Sequence, residues 1–160
     1  MMGFQTEKSY HRPSKQDWFM KIAHVVAERG TCARRQVGCV VVDIFSNIMS
    51  TGYNGPARGM KHCIDVPCAG ATAESGKDLD TCEAIHAEVN AISQCSDIQK
   101  IAEIYCTTAP CVSCTKVLLN TGALRIFFTE SYAQAEQAKH LWCQSHPQRE
   151  WIHLHETEEK

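Results

Sequence analysis

The chain has 160 residues, 44% of them hydrophobic and 21% charged, the composition of one soluble globular domain long enough to bury a core. A net charge of -2 argues against a protein whose main partner is a nucleic-acid backbone, since such proteins present a basic face. No apolar run approaches the ~18 residues that cross a bilayer. Residues 1–16 carry no apolar stretch of the secretory type, so a cytoplasmic protein is expected, with neither membrane nor nucleic acid among its partners.

Taken in chain order, residues 1–13 are polar, include Pro13 and read as a loosely held arm. Ser14 with Asp17 three residues on forms a helix start. Trp18, Phe19, Ile22, Ala23 and Val26 then recur at helical spacing, and the helix is expected to end near Gly30. Val37–Asp43 and Ile48–Tyr53 read as two strands around a turn at Ser46 and Asn47. Residues 54–82 hold Gly55, Pro56, Gly59, Pro67, Gly70 and Gly76 with little periodicity. A loop of that length in a compact domain is either functional or tied down. Helices are predicted over Glu83–Ser96, Cys111–Leu119 and Tyr132–Trp142, and strands over Ile101–Thr107, Leu124–Phe128 and Trp151–His155. The order α-β-β-α-β-α-β-α-β predicts one α/β domain over residues 1–160, a three-layer α/β/α arrangement with a mixed five-stranded central sheet.

Ten cysteines in a chain expected to stay reduced point to metal ligation or catalysis rather than disulfides. His86-Ala87-Glu88 opens one predicted helix, and Pro110-Cys111-Val112-Ser113-Cys114 opens another directly after a strand. One helical turn puts Cys111 and Cys114 on the same side, and the helix N-terminus favours their thiolates. His86 adds a neutral imidazole, so a tetrahedral zinc keeps one open position for water. Zinc with two thiolates and one imidazole is formally neutral, a milder Lewis acid than zinc on three imidazoles. Water there needs help to lose its proton, and Glu88 is placed to take it. Cys-x-x-Cys alone equally fits a structural zinc knuckle or a redox pair; the combination with His-x-Glu is the specific signal.

These residues resemble the cytidine and deoxycytidylate deaminase superfamily, and its deoxycytidylate members more closely. The resemblance covers residues 16–132: the Val37–Asp43 strand, the run Thr51-Gly52-Tyr53-Asn54-Gly55, the stretch from His86 to Ile92, Pro110-Cys111 with Cys114, and Thr121-Gly122-Ala123. It implies a cytidine-deaminase-like fold, a catalytic Zn2+ on His86, Cys111 and Cys114, and Glu88 as the proton shuttle. The implied reaction is dCMP and water to dUMP and ammonia, feeding dTTP synthesis. Asn54 is implied to contact the deoxyribose, and Thr108 with Ala109 to line the base pocket. Tyr132 either packs against the nucleotide or is a partly exposed strand-end aromatic.

The resemblance also implies a structural Zn2+ held by Cys32, Cys63, Cys68 and Cys82, with His62 able to replace one sulfur. Cys39, Cys95 and Cys106 read as core. Members of this kind are hexamers activated by dCTP and inhibited by dTTP, with Mg2+ on the effector triphosphate. Tyr53, Gly55, Arg58 and Lys61 match part of that effector site, and Arg58, Lys61 and His62 are the cations expected near a phosphate. Three alternatives stand beside this reading: a tRNA adenosine deaminase, another zinc nucleoside or nucleotide deaminase (including one with dCTP as an additional substrate), and a zinc-stabilised binding module. The last would leave Glu88 without a use. Residues beyond 132 match nothing in the family pattern.

Overall fold

A computed structural model describes residues 11–74, 77 and 81–155, so most of the expected N-terminal arm lies outside the described residues. Helix α1 (Lys15–Ala27) starts where Ser14 Oγ accepts the Asp17 N–H at 3.0 Å and donates to Asp17 Oδ2 at 2.7 Å. Its buried stripe is Phe19, Met20, Ala23 and Ala27, rotated from the expected one; Trp18 stands 47% exposed. Strands β1 (Gly38–Asp43) and β2 (Ile48–Tyr53) form a hairpin. Its turn closes on the Asp43 carboxylate, which accepts from the backbone N–H of Phe45 and Asn47 and from the Asn47 amide.

Strands β3 (Ile101–Thr108), β4 (Arg125–Glu130) and β5 (Glu150–His153) complete a sheet of order β2-β1-β3-β4-β5. β1 runs antiparallel to β2 and β3, while β3, β4 and β5 are mutually parallel, the mixed sheet that was expected. Helices α2 (Ala87–Gln94), α3 (Val112–Leu118) and α4 (Ala135–Gln144) pack on the face opposite α1. Strand periodicity divides the core accordingly. Val40, Val42, Tyr105 and Phe127 point to α1, and Cys39, Val41, Ile104, Cys106, Ile126 and Phe128 point to the other three helices. Covering on both faces explains why β1 is apolar along nearly its whole length. The crossovers β3-α3-β4 and β4-α4-β5 step the same way along the sheet, so shared handedness puts both helices on one face.

Two expected boundaries move for physical reasons. Residues 83–86 are not helical, because Ile85 pairs with Gly55 through two backbone hydrogen bonds and holds the segment extended. The helix expected from Tyr132 begins only at Ala135. The unmatched tail is structural. Trp142 is fully buried with its indole N–H on the Glu150 carbonyl. Arg149 lies 4.5 Å over the Trp142 ring and donates to the carbonyls of Leu119 and Ala123, capping the end of α3.

Candidate active site

Two helix starts face each other on the α2–α4 side of the sheet. His86 is the N-cap of α2, in extended conformation because of the Gly55–Ile85 bridge just before it. Cys111 is the N-cap of α3, its sulfur accepting the Cys114 N–H at 3.4 Å. His86 Nδ1 stands 3.3 Å from Cys114 Sγ and 3.6 Å from Cys111 Sγ. These three ligand atoms lie within 4.8 Å of one another, the one such group of three His, Cys, Asp or Glu ligands among the described residues. Glu88, in the first turn of α2, is 4% exposed.

Helix α2 is seated on β2 by backbone contact. A Cβ at Gly52 would run into the Ala87 carbonyl oxygen and the Ala91 nitrogen, so only glycine admits this approach. Three side-chain bonds fix the helix further: Ser50 Oγ donates to the Ala91 carbonyl, and Asn90 and Gln94 donate to the carbonyls of Tyr53 and Thr51.

The charges settle which metal suits the site. The Cys111 thiol is held down to about 4, first by the hydrogen bond from Cys114 and also by His86. The Cys114 thiol is pushed up, first by that same bond to Cys111 and then by burial. A divalent cation is what allows two adjacent thiolates. His86 is raised to about 8 by its bond to Cys111, and a cation would displace that proton too. One imidazole and two thiolates suit zinc, with a ligand position to spare. Burial pushes the Glu88 carboxyl above the usual carboxylate range.

These groups open into a cavity of about 650 Å³. His86, Glu88, Thr108, Ala109 and Cys111 form its floor, and Asn54 and Tyr132 its walls. Asn54 Oδ1 accepts the Val37 N–H at 2.8 Å and its amide donates to the Arg35 carbonyl at 2.7 Å, so this side chain fixes the loop ahead of β1. The Tyr132 hydroxyl donates to the Pro110 carbonyl at 3.2 Å, pinning the turn into Cys111.

Arg58 and Lys61 are exposed and, like Tyr53 and Gly55, do not line this cavity. His62 is bonded to Thr31. The cations on the cavity are Arg34 and Arg35, which the sequence reading missed; the available signal was an Arg-Arg pair directly ahead of β1. Arg34 donates to the carbonyls of Glu74 and Lys77 and ties down the long loop. The Cys63 and Cys68 sulfurs are 3.6 Å apart, and the Cys82 thiol feels both Cys32 and Cys68. No three of these four sulfurs lie mutually within 4.8 Å. Cys39 and Cys106 are paired across β1 and β3, fully buried, as core residues should be.

A buried carboxylate beside one imidazole and two thiolates, set at two helix starts on this mixed sheet, defines a zinc deaminase domain. Residues 13–130 match the family model for the cytidine and deoxycytidylate deaminase zinc-binding region, and the chain belongs to that family. It is 34% identical over 129 residues to the deoxycytidylate deaminase of Saccharomyces cerevisiae, covering 79% of this chain but only 41% of that longer protein. It is 33% identical over 123 residues to the deoxycytidylate deaminase of Mycobacterium phage D29, covering 73% of this chain and 95% of the phage protein. The fold matches the crystal structure of dCMP deaminase from cyanophage S-TIM5 in complex with dCMP and dUMP. That match has a TM-score of 0.69 at 23% identity, over 91% of this chain and all of the other.

Proposed function

We propose that this chain hydrolyses the exocyclic amine of dCMP, converting dCMP and water to dUMP and ammonia. One observation carries the reading: buried Glu88 lines the same cavity as His86 and Cys111, with the Cys114 sulfur 3.3 Å from His86 Nδ1 completing the ligand set, in a chain that resembles deoxycytidylate deaminases from phage to yeast. His86, Cys111 and Cys114 would hold a zinc ion, which would supply the Lewis acidity that makes water a nucleophile at neutral pH. Glu88 takes a proton from the attacking water and delivers it to the ring nitrogen. A C–O bond forms at C4 of the base, the C4–N bond breaks, and Glu88 passes the second proton to the leaving amine. The raised pKa of Glu88 suits a group that must hold a proton in mid-cycle. Thr108 and Ala109 form the floor under the base, Tyr132 flanks it, and Asn54 offers the sugar the remaining lone pair of Oδ1.

The test is ammonia release from dCMP, cytidine, dCTP and a tRNA. Turnover of dCMP well above the others supports the reading, and turnover of tRNA alone overturns it. Glu88→Gln should keep zinc and fold yet lose at least ~10²-fold in rate; activity near wild type in that zinc-loaded variant would remove Glu88 from the mechanism.

The finer reading follows from the family. Cys32, Cys63, Cys68 and Cys82 hold a second, structural Zn2+ that clips the 54–82 loop, supported by the adjacency of Cys63 and Cys68. Activation by dCTP and inhibition by dTTP, with Mg2+ on the triphosphate, act through Tyr53, Gly55, Arg58 and Lys61. The support is that the two cations are exposed and stand outside the substrate cavity. In this reading the chain is a single-domain cytoplasmic enzyme, assembled as a homohexamer and feeding dTTP synthesis. Arg58→Ala should shift activation to higher dCTP and weaken dTTP inhibition with it, and intact responses would exclude that role.

A further inference from the structure

We propose that Arg35 is the residue that reads the 5′-phosphate of the substrate, and so selects a nucleotide over a nucleoside. The inference rests on the reading of the chain as a dCMP deaminase and adds to it the phosphate site, which the sequence had located on the 55–62 loop.

Three observations lead to Arg35. The cavity is graded: Glu88, Thr108 and Ala109 are buried and His86 is half-buried, while Arg35, Ser113 and Gln137 at its rim are exposed. A nucleotide entering base first therefore leaves its charged end at the rim. Among the described residues Arg34 and Arg35 are the only arginines or lysines that line that cavity. Arg34 is spent, its guanidinium donating to the Glu74 and Lys77 carbonyls. Among the described residues the Arg35 guanidinium meets only Glu130 Oε2, at 3.9 Å, with both side chains about half in water. An ion pair that long and that wet is worth little. A phosphate dianion offers the same guanidinium two short, charge-assisted bonds in a fork geometry and displaces the carboxylate.

The arrangement also accounts for the backbone around Arg35. Its carbonyl accepts from the Asn54 amide, and Asn54 in turn holds the Val37 N–H, so the start of β1 and the wall of the cavity are locked together. The Arg35 main chain is thereby fixed relative to the floor while its side chain stays free to turn inward. Glu130 then acts as a placeholder that keeps the guanidinium at the rim between turnovers.

The test compares dCMP with deoxycytidine, which lacks the phosphate. In Arg35→Ala, kcat/KM for dCMP should fall about 10- to 100-fold, chiefly through KM, as expected for one charged hydrogen-bonding partner. Slow turnover of deoxycytidine at high enzyme concentration should not change. Arg35→Lys should recover part of the loss, and Glu130→Gln should lower KM for dCMP by freeing the guanidinium. An equal loss on both substrates would mean a structural role and overturn the inference, as would an unchanged KM for dCMP. If wild type takes dCMP and deoxycytidine equally well, no phosphate is read and the inference falls while the deaminase reading stands. If wild type leaves dCMP untouched, both fall.

Discussion

Replacing Gly52 by Ala tests whether the seat of α2 on β2 sets the active site. The added Cβ would overlap the Ala87 carbonyl oxygen and the Ala91 nitrogen. Both are backbone atoms, so no rotamer change relieves the overlap and the helix itself must move. Overpacking of this kind costs about 1–3 kcal/mol, and a domain of this size loses about 2–4 °C in Tm per kcal/mol. The larger effect should be on activity, because His86 caps α2 and Glu88 lies in its first turn. A displacement of about 1 Å at such groups can cost ~10²-fold in rate. Ser50→Ala is the companion variant: it removes the bond to the Ala91 carbonyl without any overlap, and should cost about 1 kcal/mol with activity nearly kept. The assay is urea unfolding together with kcat/KM for dCMP on zinc-loaded protein. A Gly52→Ala protein as stable and as active as wild type would refute the claim that this contact positions the catalytic helix.

Metal analysis should find two zincs per chain, with Cys111→Ser losing one and all activity, and Cys68→Ser losing one and lowering Tm. One zinc in wild type, with Cys68→Ser fully stable, would remove the second site. Arg149→Ala should destabilise by about 1–3 kcal/mol, since it strips the Leu119 and Ala123 carbonyls of a donor and the Trp142 ring of its cation; an unchanged urea midpoint would contradict this. The Asp43 carboxyl is held below its ordinary value, first by the Asn47 side chain. Its contribution is thus present above the unfolded pKa and lost as pH falls through the lower folded one. The stability gap between wild type and Asp43→Asn should therefore narrow below about pH 4, and a constant gap from neutral pH to acid would contradict it.

The sequence made the sheet legible because strand periodicity and turn residues are local signals; the hairpin closes over residues 44–47, with its turn on Ile44 and Phe45 just ahead of the expected Ser46 and Asn47. The metal set was legible because His86 and Glu88 share one short segment and Cys111 and Cys114 share another. What stayed hidden depends on contacts distant in sequence. The start of α2 is set by Ile85 pairing with Gly55, thirty residues upstream, so a run with good helical pattern stays extended until His86. The buried stripe of α1 follows the strands beneath it, which turn Trp18 outward. Arg35 went unread because a cation before a strand signals nothing until the cavity it borders exists.

The division between floor and rim follows from how each is built. The floor atoms come from helix starts and the end of β3, all held by backbone pairing or by burial on the sheet. The rim combines the loop before β1, which carries Arg35, with exposed helix positions, Ser113 of α3 and Gln137 of α4. Loops tolerate change that a packed helix start cannot, so chemistry and selectivity are separable in this fold. Arg34 and Asn54 bridge the two regions, one tying the long loop down and the other tying the Arg35 backbone to the cavity wall. A substitution at the rim should then change which cytosine compound is accepted and leave the proton transfers of Glu88 intact. A substitution beneath α2 should slow every substrate alike. That contrast, read as parallel or divergent losses across dCMP and deoxycytidine, assigns any new variant to one region or the other before a structure of it is determined.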